Sequence, residues 1–279
     1  MPLVTSKEML LKAQAGGYAV GAFNVENMEM AQAVLAAAQR MGAPVMVQTT
    51  TGTLKYAPPG LYAAMVGALA GQAALPVAMH LDHGSSLELA QRCLDAGYTS
   101  LMIDGSLLAF DANVALTRQA VTLARAVPVE GELGTLGGKE DALEGSTLYT
   151  QAAEAEAFVR LTGVSSLAVS IGSAHGLYKG EPRIDLDRLE EIRGRVSVPL
   201  VLHGGTGIPE ETIKACIARG ISKINFATDL RIAFTGAVKA AMRDKPDAFD
   251  PKAYLSAGRA AVEARVCQLI ALCGCEGKA

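Results

Sequence analysis

Four histidines are the residues of this chain best suited to chemistry, and three of them share a pattern. His83, His175 and His203 each follow a short apolar run, and each stands directly before a glycine. Apolar runs of that length read as buried strands, and a glycine after them permits a sharp turn. Three strand ends that each deliver an imidazole make a three-histidine metal site, the arrangement in which a catalytic zinc keeps a coordination position open. The fourth, His80, shares a segment with Asp82 and His83, Val77-Ala78-Met79-His80-Leu81-Asp82-His83-Gly84. In a regular strand His80 and Asp82 point to one face and His83 to the other. Asp82 and His83 therefore reach one site only if the strand ends there, as Gly84 suggests, and His80 is read as lying behind the metal ligands.

Metal-bound imidazoles donate their second N–H to a carboxylate or carbonyl. Glu132 and Asp104, at the ends of two further strand candidates, are placed to take that role. Two glycine-rich or small-residue turns, Gly204-Gly205-Thr206-Gly207 and Asn225-Phe226-Ala227-Thr228, follow the last two strand candidates. Backbone N–H groups at such turns and at helix starts bind anions such as phosphate.

The elements that must position these residues alternate along the chain. Strand candidates are Ala19–Phe23, Val45–Gln48, Val77–Leu81, Ser100–Ile103, Val129–Leu133, Leu167–Ile171, Val198–Leu202 and Ile221–Asn225. Helical stretches lie between them, at Glu29–Met41, Leu61–Ala73, Leu87–Ala96, Ala112–Ala126, Ala152–Thr162, Leu186–Gly194 and Pro209–Arg219. Leu230–Met242 and Lys252–Leu272 close the chain as extra C-terminal helices. Eight strand–helix units predict a single-domain α/β fold over residues 1–279, a (β/α)8 TIM barrel, in which polar residues after the strands share one active face. A doubly wound open sheet accounts less well for polar residues after all eight strands. The polar stretch from Gly134 to Thr150 has no clear period and reads as a functional lid.

At 279 residues and half hydrophobic, the chain has material for a large core. Its net charge of −3 and the lack of a Lys/Arg run argue against nucleic acid. Tyr56 to Leu81 holds no Asp, Glu, Lys or Arg. Prolines and Gln72 interrupt it, so it reads as a buried helix feeding a buried strand and not as a membrane span. Met1 to Lys7 has no signal-peptide character, and five cysteines without a Cys-x-x-Cys pair read as reduced thiols, which together point to the cytoplasm. Cys273-Gly274-Cys275 is expected to lie in a frayed tail.

Several ordered motifs together resemble the class II, zinc-dependent fructose/tagatose-bisphosphate aldolases. They are His80-Leu81-Asp82-His83, Asp104-Gly105-Ser106, Glu132-Leu133-Gly134, Gly137-Gly138 with Glu140, and Gly172-Ser173-Ala174-His175-Gly176. Leu202-His203-Gly204-Gly205-Thr206-Gly207, Lys223-Ile224-Asn225-Phe226-Ala227-Thr228, Phe23-Asn24 and Phe249-Asp250-Pro251 extend the likeness over essentially the whole chain. The resemblance implies Zn2+ on His83, His175 and His203, where it chelates dihydroxyacetone phosphate and stabilises an enediolate as a carbon–carbon bond breaks. It implies that Asp82 moves the proton on the aldehyde oxygen and Glu140 the proton at the nucleophilic carbon. Substrate contacts fall to Asn24, Thr50, Gly176, Gly204, Gly205, Thr206, Asn225, Phe226, Ala227 and Thr228, with a monovalent cation (Na+ or K+) near the phosphate. Arg259 matches the arginine that holds the second phosphate, in its own or a neighbouring subunit of a homodimer or homotetramer.

The implied reaction is reversible cleavage of a ketose 1,6-bisphosphate, fructose before tagatose, to dihydroxyacetone phosphate and glyceraldehyde 3-phosphate. Competing readings are an aldolase for another phosphorylated ketose, a Schiff-base aldolase using Lys223 or Lys179, a metal-dependent phosphosugar epimerase or isomerase, and a sugar-phosphate-sensing barrel without turnover.

Overall fold

The structure, a computed structural model, describes residues 3–135, 137–138, 148–178, 180 and 182–279. Eight strands close into a parallel barrel. In chain order they are β1 (Val20–Asn24), β2 (Val45–Thr50), β3 (Val77–Gly84), β4 (Ser100–Ile103), β5 (Val129–Leu133), β7 (Ser166–Val169), β9 (Leu200–Leu202) and β10 (Ile221–Phe226). The barrel runs β1-β10-β9-β7-β5-β4-β3-β2, so first and last strands meet and no edge is left open. Two further short strands, β6 (Gly137–Gly138) and β8 (Ala174–His175), pair outside it and set Gly138 beside His175.

Helices wrap the barrel: α1 (Ser6–Gly16), α2 (Met28–Met41), α3 (Thr51–Tyr56), α4 (Pro59–Gln72), α5 (Leu87–Asp95), α6 (Phe110–Ala124), α7 (Ala152–Thr162), α8 (Leu186–Arg195), α9 (Glu210–Ala218), α10 (Thr228–Asp244) and α11 (Pro251–Cys273). Local chemistry sets their ends. The Asn27 side chain accepts the Met30 N–H at the start of α2, and Ser86, Asp185 and Asp250 cap α5, α8 and α11 in the same way. Gly42 ends α2 in the left-handed conformation that glycine adopts without a Cβ clash.

The anticipated barrel is therefore present, with differences that have local causes. β9 begins at Leu200 and not at Val198, because Pro199 has no N–H to give to a neighbouring strand. Helices α1 and α3 were not anticipated. α1 lies across the N-terminal mouth of the barrel: Val4 N–H donates to the Val77 carbonyl, the Ser6 and Ser100 hydroxyls are 2.8 Å apart, and Gln14 reaches the Ser197 carbonyl. α3 starts where Thr50 caps the Thr53 N–H, converting a Thr-rich strand end into a helical turn. The charge-free α4 is less buried than expected. Only the stripe Pro59, Tyr62, Val66, Ala70 is fully buried, with Ala63, Met65 and Leu69 partly packed beside it, and Leu61 is 60% exposed. Among the described residues no helix is long and apolar enough to cross a membrane.

The frayed tail is also corrected. Cys273 and Cys275 are fully buried, Gly274 caps α11, and the Gly277 and Ala279 N–H groups donate to the Met41 and Gly42 carbonyls at 2.9 and 3.0 Å. Removal of residues 275–279 is expected to lower the melting temperature by about 2–6 °C, as befits about 1–2 kcal/mol of lost burial and hydrogen bonding. A calorimetric scan that shows no change would mean the tail contributes nothing to stability.

Candidate active site and metal centre

β3 does not stop at His83, as the sequence reading required; it bulges. Its register against β4 slips between Leu81 and Gly84, and His83 takes φ 46°, a left-handed conformation that a non-glycine residue seldom adopts. The slip cancels the alternation of faces, so Asp82 and His83 turn to one mouth. His203 follows directly on β9, and Gly204 after it has φ 67° and backs onto the Ala174 carbonyl, where any Cβ would collide. That close approach nests the His203 turn against the segment that carries His175.

The three imidazoles meet. The His83 ring centroid lies 4.9 Å from that of His175 and 4.7 Å from that of His203, and His175 and His203 are 6.1 Å apart. One ring nitrogen from each residue lies within 4.8 Å of the others. Carboxylates orient two of the rings. His83 Nδ1 is 2.8 Å from Asp104 Oδ2, while Asp104 Oδ1 accepts from the N–H and hydroxyl of Ser106. His203 Nε2 is 2.9 Å from Glu130 Oε1, which turns Nδ1 toward the cluster, and Glu132 Oε2 sits 3.4 Å from that Nδ1 and 3.8 Å from His83 Nδ1. Lys223 in turn donates to both oxygens of Glu130, at 3.1 and 2.9 Å.

The charge balance suits a cation. Burial disfavours a charged imidazole, yet hydrogen bonds to Glu130 and Glu132 lift His203 to about 9, and the Asp82 and Asp104 charges hold His83 well above its ordinary value. Burial and the two neighbouring imidazoles hold His175 well below its own. Burial and the Asp104 charge raise Glu132, whereas for Asp104 the hydrogen bond and charge of His83 together with the Ser106 hydrogen bonds outweigh burial and lower it. Carboxylates thus draw protons onto rings that a divalent ion would otherwise hold neutral, and the three-nitrogen set with orienting carboxylates fits a metal of the zinc type.

Asp82 is buried beside this cluster in a cage of amides. Asn24 Nδ2 donates to its Oδ2 at 2.9 Å, Gln48 Nε2 at 3.2 Å, and Asn225 Nδ2 to its Oδ1 at 2.9 Å. Burial works against the carboxylate, but the His83, His203 and Lys223 charges prevail and hold it at about 2. His80 is fully buried and bonded to Ser100 at 2.7 Å, with burial and the Lys223 charge lowering it to about 3. It lies behind the three clustered imidazoles and bonds to none of them.

A cleft beside His175 is lined by Asn24, Gly176, Gly204, Thr206, Asn225, Ala227 and Thr228. The 17-residue α10 begins at Thr228, a residue of this lining, so the positive end of its dipole opens onto the cleft. The sequence family "Fructose-bisphosphate aldolase class-II" matches residues 4–278. The chain belongs to the class II fructose-bisphosphate aldolases. It is 44% identical to the fructose-bisphosphate aldolase of Geobacillus stearothermophilus over 287 aligned positions, covering 100% of this chain and 99% of that one. Among solved structures, the YdjI aldolase of Escherichia coli K12 superposes with a TM-score of 0.89 at 35% identity, covering 99% of each chain. Fructose-bisphosphate aldolase from Campylobacter jejuni shares the fold, with a TM-score of 0.84 at 24% identity over 100% of this chain and 97% of that one.

As a member of this family the protein is an aldolase, a carbon–carbon lyase. Not every anticipated site residue of the aldolase reaches the cleft. Phe226 stacks on Phe23 in the core, 5.8 Å between centroids, because it follows the inward-facing Asn225 on β10. Gly205 packs against Ile224 and Phe226 behind the turn. Arg259 sits on α11, bonded to Gln32 of α2, and lines neither this cleft nor the cavity around Thr50. Glu140 and Lys179 lie outside the described residues. Lys223 is sealed in the barrel against Glu130, which argues against a Schiff-base role. Gln48 and Glu130 went unassigned in the sequence, although each lies on a strand candidate, Gln48 as its last residue and Glu130 on the same parity as Glu132.

His203→Ala is expected to take metal content from about one ion per chain to nearly none and to abolish cleavage. Elemental analysis beside an activity assay checks both, and an active, metal-free variant would overturn the ligand assignment.

Proposed function

We propose that this aldolase reversibly cleaves a ketose 1,6-bisphosphate to dihydroxyacetone phosphate and glyceraldehyde 3-phosphate, fructose 1,6-bisphosphate first and tagatose 1,6-bisphosphate next. The observation that carries the reading is the convergence of three imidazoles, a caged carboxylate and a helix N-terminus at one barrel mouth. The name of the Geobacillus relative supports the fructose substrate.

In this reading zinc is held by His83, His175 and His203 and supplies a Lewis acid for the carbonyl and hydroxyl oxygens of the ketose. Asp104, Glu130 and Glu132 fix the tautomers and directions of the His83 and His203 rings. Asp82, held ionised by its surroundings, accepts the proton of the hydroxyl that becomes the aldehyde and returns it in condensation. Asn24, Gln48 and Asn225 aim its two oxygens. Gly176, Gly204, Thr206, Ala227 and Thr228 seat the ketose phosphate at the start of α10, with a monovalent cation beside it. Glu140 exchanges the proton at the nucleophilic carbon, and Arg259 serves the site of a second copy in a homodimer or homotetramer. The site works on a soluble metabolite in the cytoplasm.

A coupled assay for triose phosphate with both epimeric bisphosphates tests the reaction. Chelation should abolish product and added zinc restore it; product that survives chelation removes the metal from the reaction. Asp82→Ala should keep its zinc while turnover falls by about 10²–10⁴-fold. Loss of zinc with Asp82 would assign that residue to metal binding instead.

A further inference from the structure

A second cavity, of about 430 Å3, adjoins the phosphate cleft and is lined by Glu26, Asn27, Thr50, Thr53, Tyr56 and Arg231, together with Gly52. Its position ties it to the reacting centre. Thr50 is the register partner of Asp82 across β2 and β3, so the cavity begins beside the carboxylate that handles the aldehyde oxygen. Glu26 follows Asn24 by two residues, and Arg231 lies three residues, about one turn, beyond Thr228 on α10. Phosphate cleft and second cavity thus both open among residues that end or follow β1 and β10, and Thr50 links the second cavity to Asp82. On the reading of function above, the first holds the ketose phosphate, and the second receives the half of the substrate beyond the bond that breaks.

The cation in this cavity is already engaged. Glu26 Oε1 accepts from Arg231 Nε at 2.9 Å and from its NH2 at 2.6 Å, while Glu26 Oε2 accepts from the Thr53 hydroxyl at 2.9 Å. Thr53 is braced in turn by Thr50, 3.2 Å between hydroxyls. One edge of the guanidinium fork therefore faces a carboxylate that a threonine holds in place. A phosphate arriving at Arg231 must displace Glu26 or lie against its negative charge. A hydroxylated, uncharged end meets no such opposition, since both Glu26 and the threonines accept or donate hydrogen bonds.

We infer that Glu26 is a specificity-determining residue of this aldolase: it competes with the distal anion for Arg231 and narrows the preference for a ketose bisphosphate over the corresponding ketose 1-phosphate. The pair is partly exposed, 43% for Arg231 and 32% for Glu26, so its own contribution to stability is small and its effect falls on selection. Like charge placed against a competing ligand is a common means of discrimination.

The test compares kcat/KM for fructose 1,6-bisphosphate and fructose 1-phosphate in the zinc-loaded parent protein and in Glu26→Gln. Glutamine keeps the size and the acceptor for Thr53 and removes the charge. The ratio of bisphosphate to monophosphate should rise about tenfold, chiefly through KM for the bisphosphate. Arg231→Gln should move the ratio the other way, and a purely structural role for the pair would shift both substrates equally. Cleavage of both ketoses with an unmoved or lower ratio in Glu26→Gln overturns the inference alone. Failure of the parent protein to cleave either ketose overturns the reading of function, and this inference with it.

Discussion

Buried negative charge at the C-terminal mouth of the barrel is the constraint on which the site depends. Asp82, Glu130 and Glu132 are each no more than 2% exposed, and Asp104 stands beside them. An isolated buried carboxylate is costly, and its companions must be cations or dense hydrogen bonds. Lys223 answers Glu130, three amides answer Asp82, and Ser106 with His83 answers Asp104. What remains is a field that favours the charged form of His83 and His203. The same field favours a cation among the three imidazoles, which links the candidate metal centre to the electrostatics of the fold.

The same mouth carries the opposite sign a short distance away. The start of α10, the turn at Gly204 and the Thr206 hydroxyl, which accepts the Asp229 N–H, line a cleft with little side-chain charge at the positive end of a helix dipole. Such a cleft holds an anion without neutralising the carboxylates that orient the imidazoles. Separation of the two jobs follows from the barrel closure, which brings β10 alongside β1 and so sets Asn225 and Asn24 at one end of Asp82.

Much of this was legible in the residues. The eight apolar runs, their glycine-bounded ends and the three histidines before glycines led to the barrel and to the imidazole cluster, because strand period and turn chemistry are local properties. Asp104 as the partner of His83 was also anticipated from its position after β4. Gln48 and Glu130 were missed for a different reason: their importance lies in what they touch across the barrel, 34 and 73 residues away in sequence for Asp82 and His203. The β3 bulge was hidden because a register slip leaves no residue-level mark beyond Gly84. Phe226 stacks on Phe23 and away from the cleft, and motif likeness does not say which way a side chain points.

Helix α1 has a consequence for traffic. Anchored to the strand bottoms through Val4, Ser6 and Gln14, it corks the lower end of the barrel. Substrate entry and the departure of both fragments must then share the upper opening, with the rim formed by Glu26, Tyr56 and Arg231 on one side of that doorway. A change at this rim acts on arrival and on escape together.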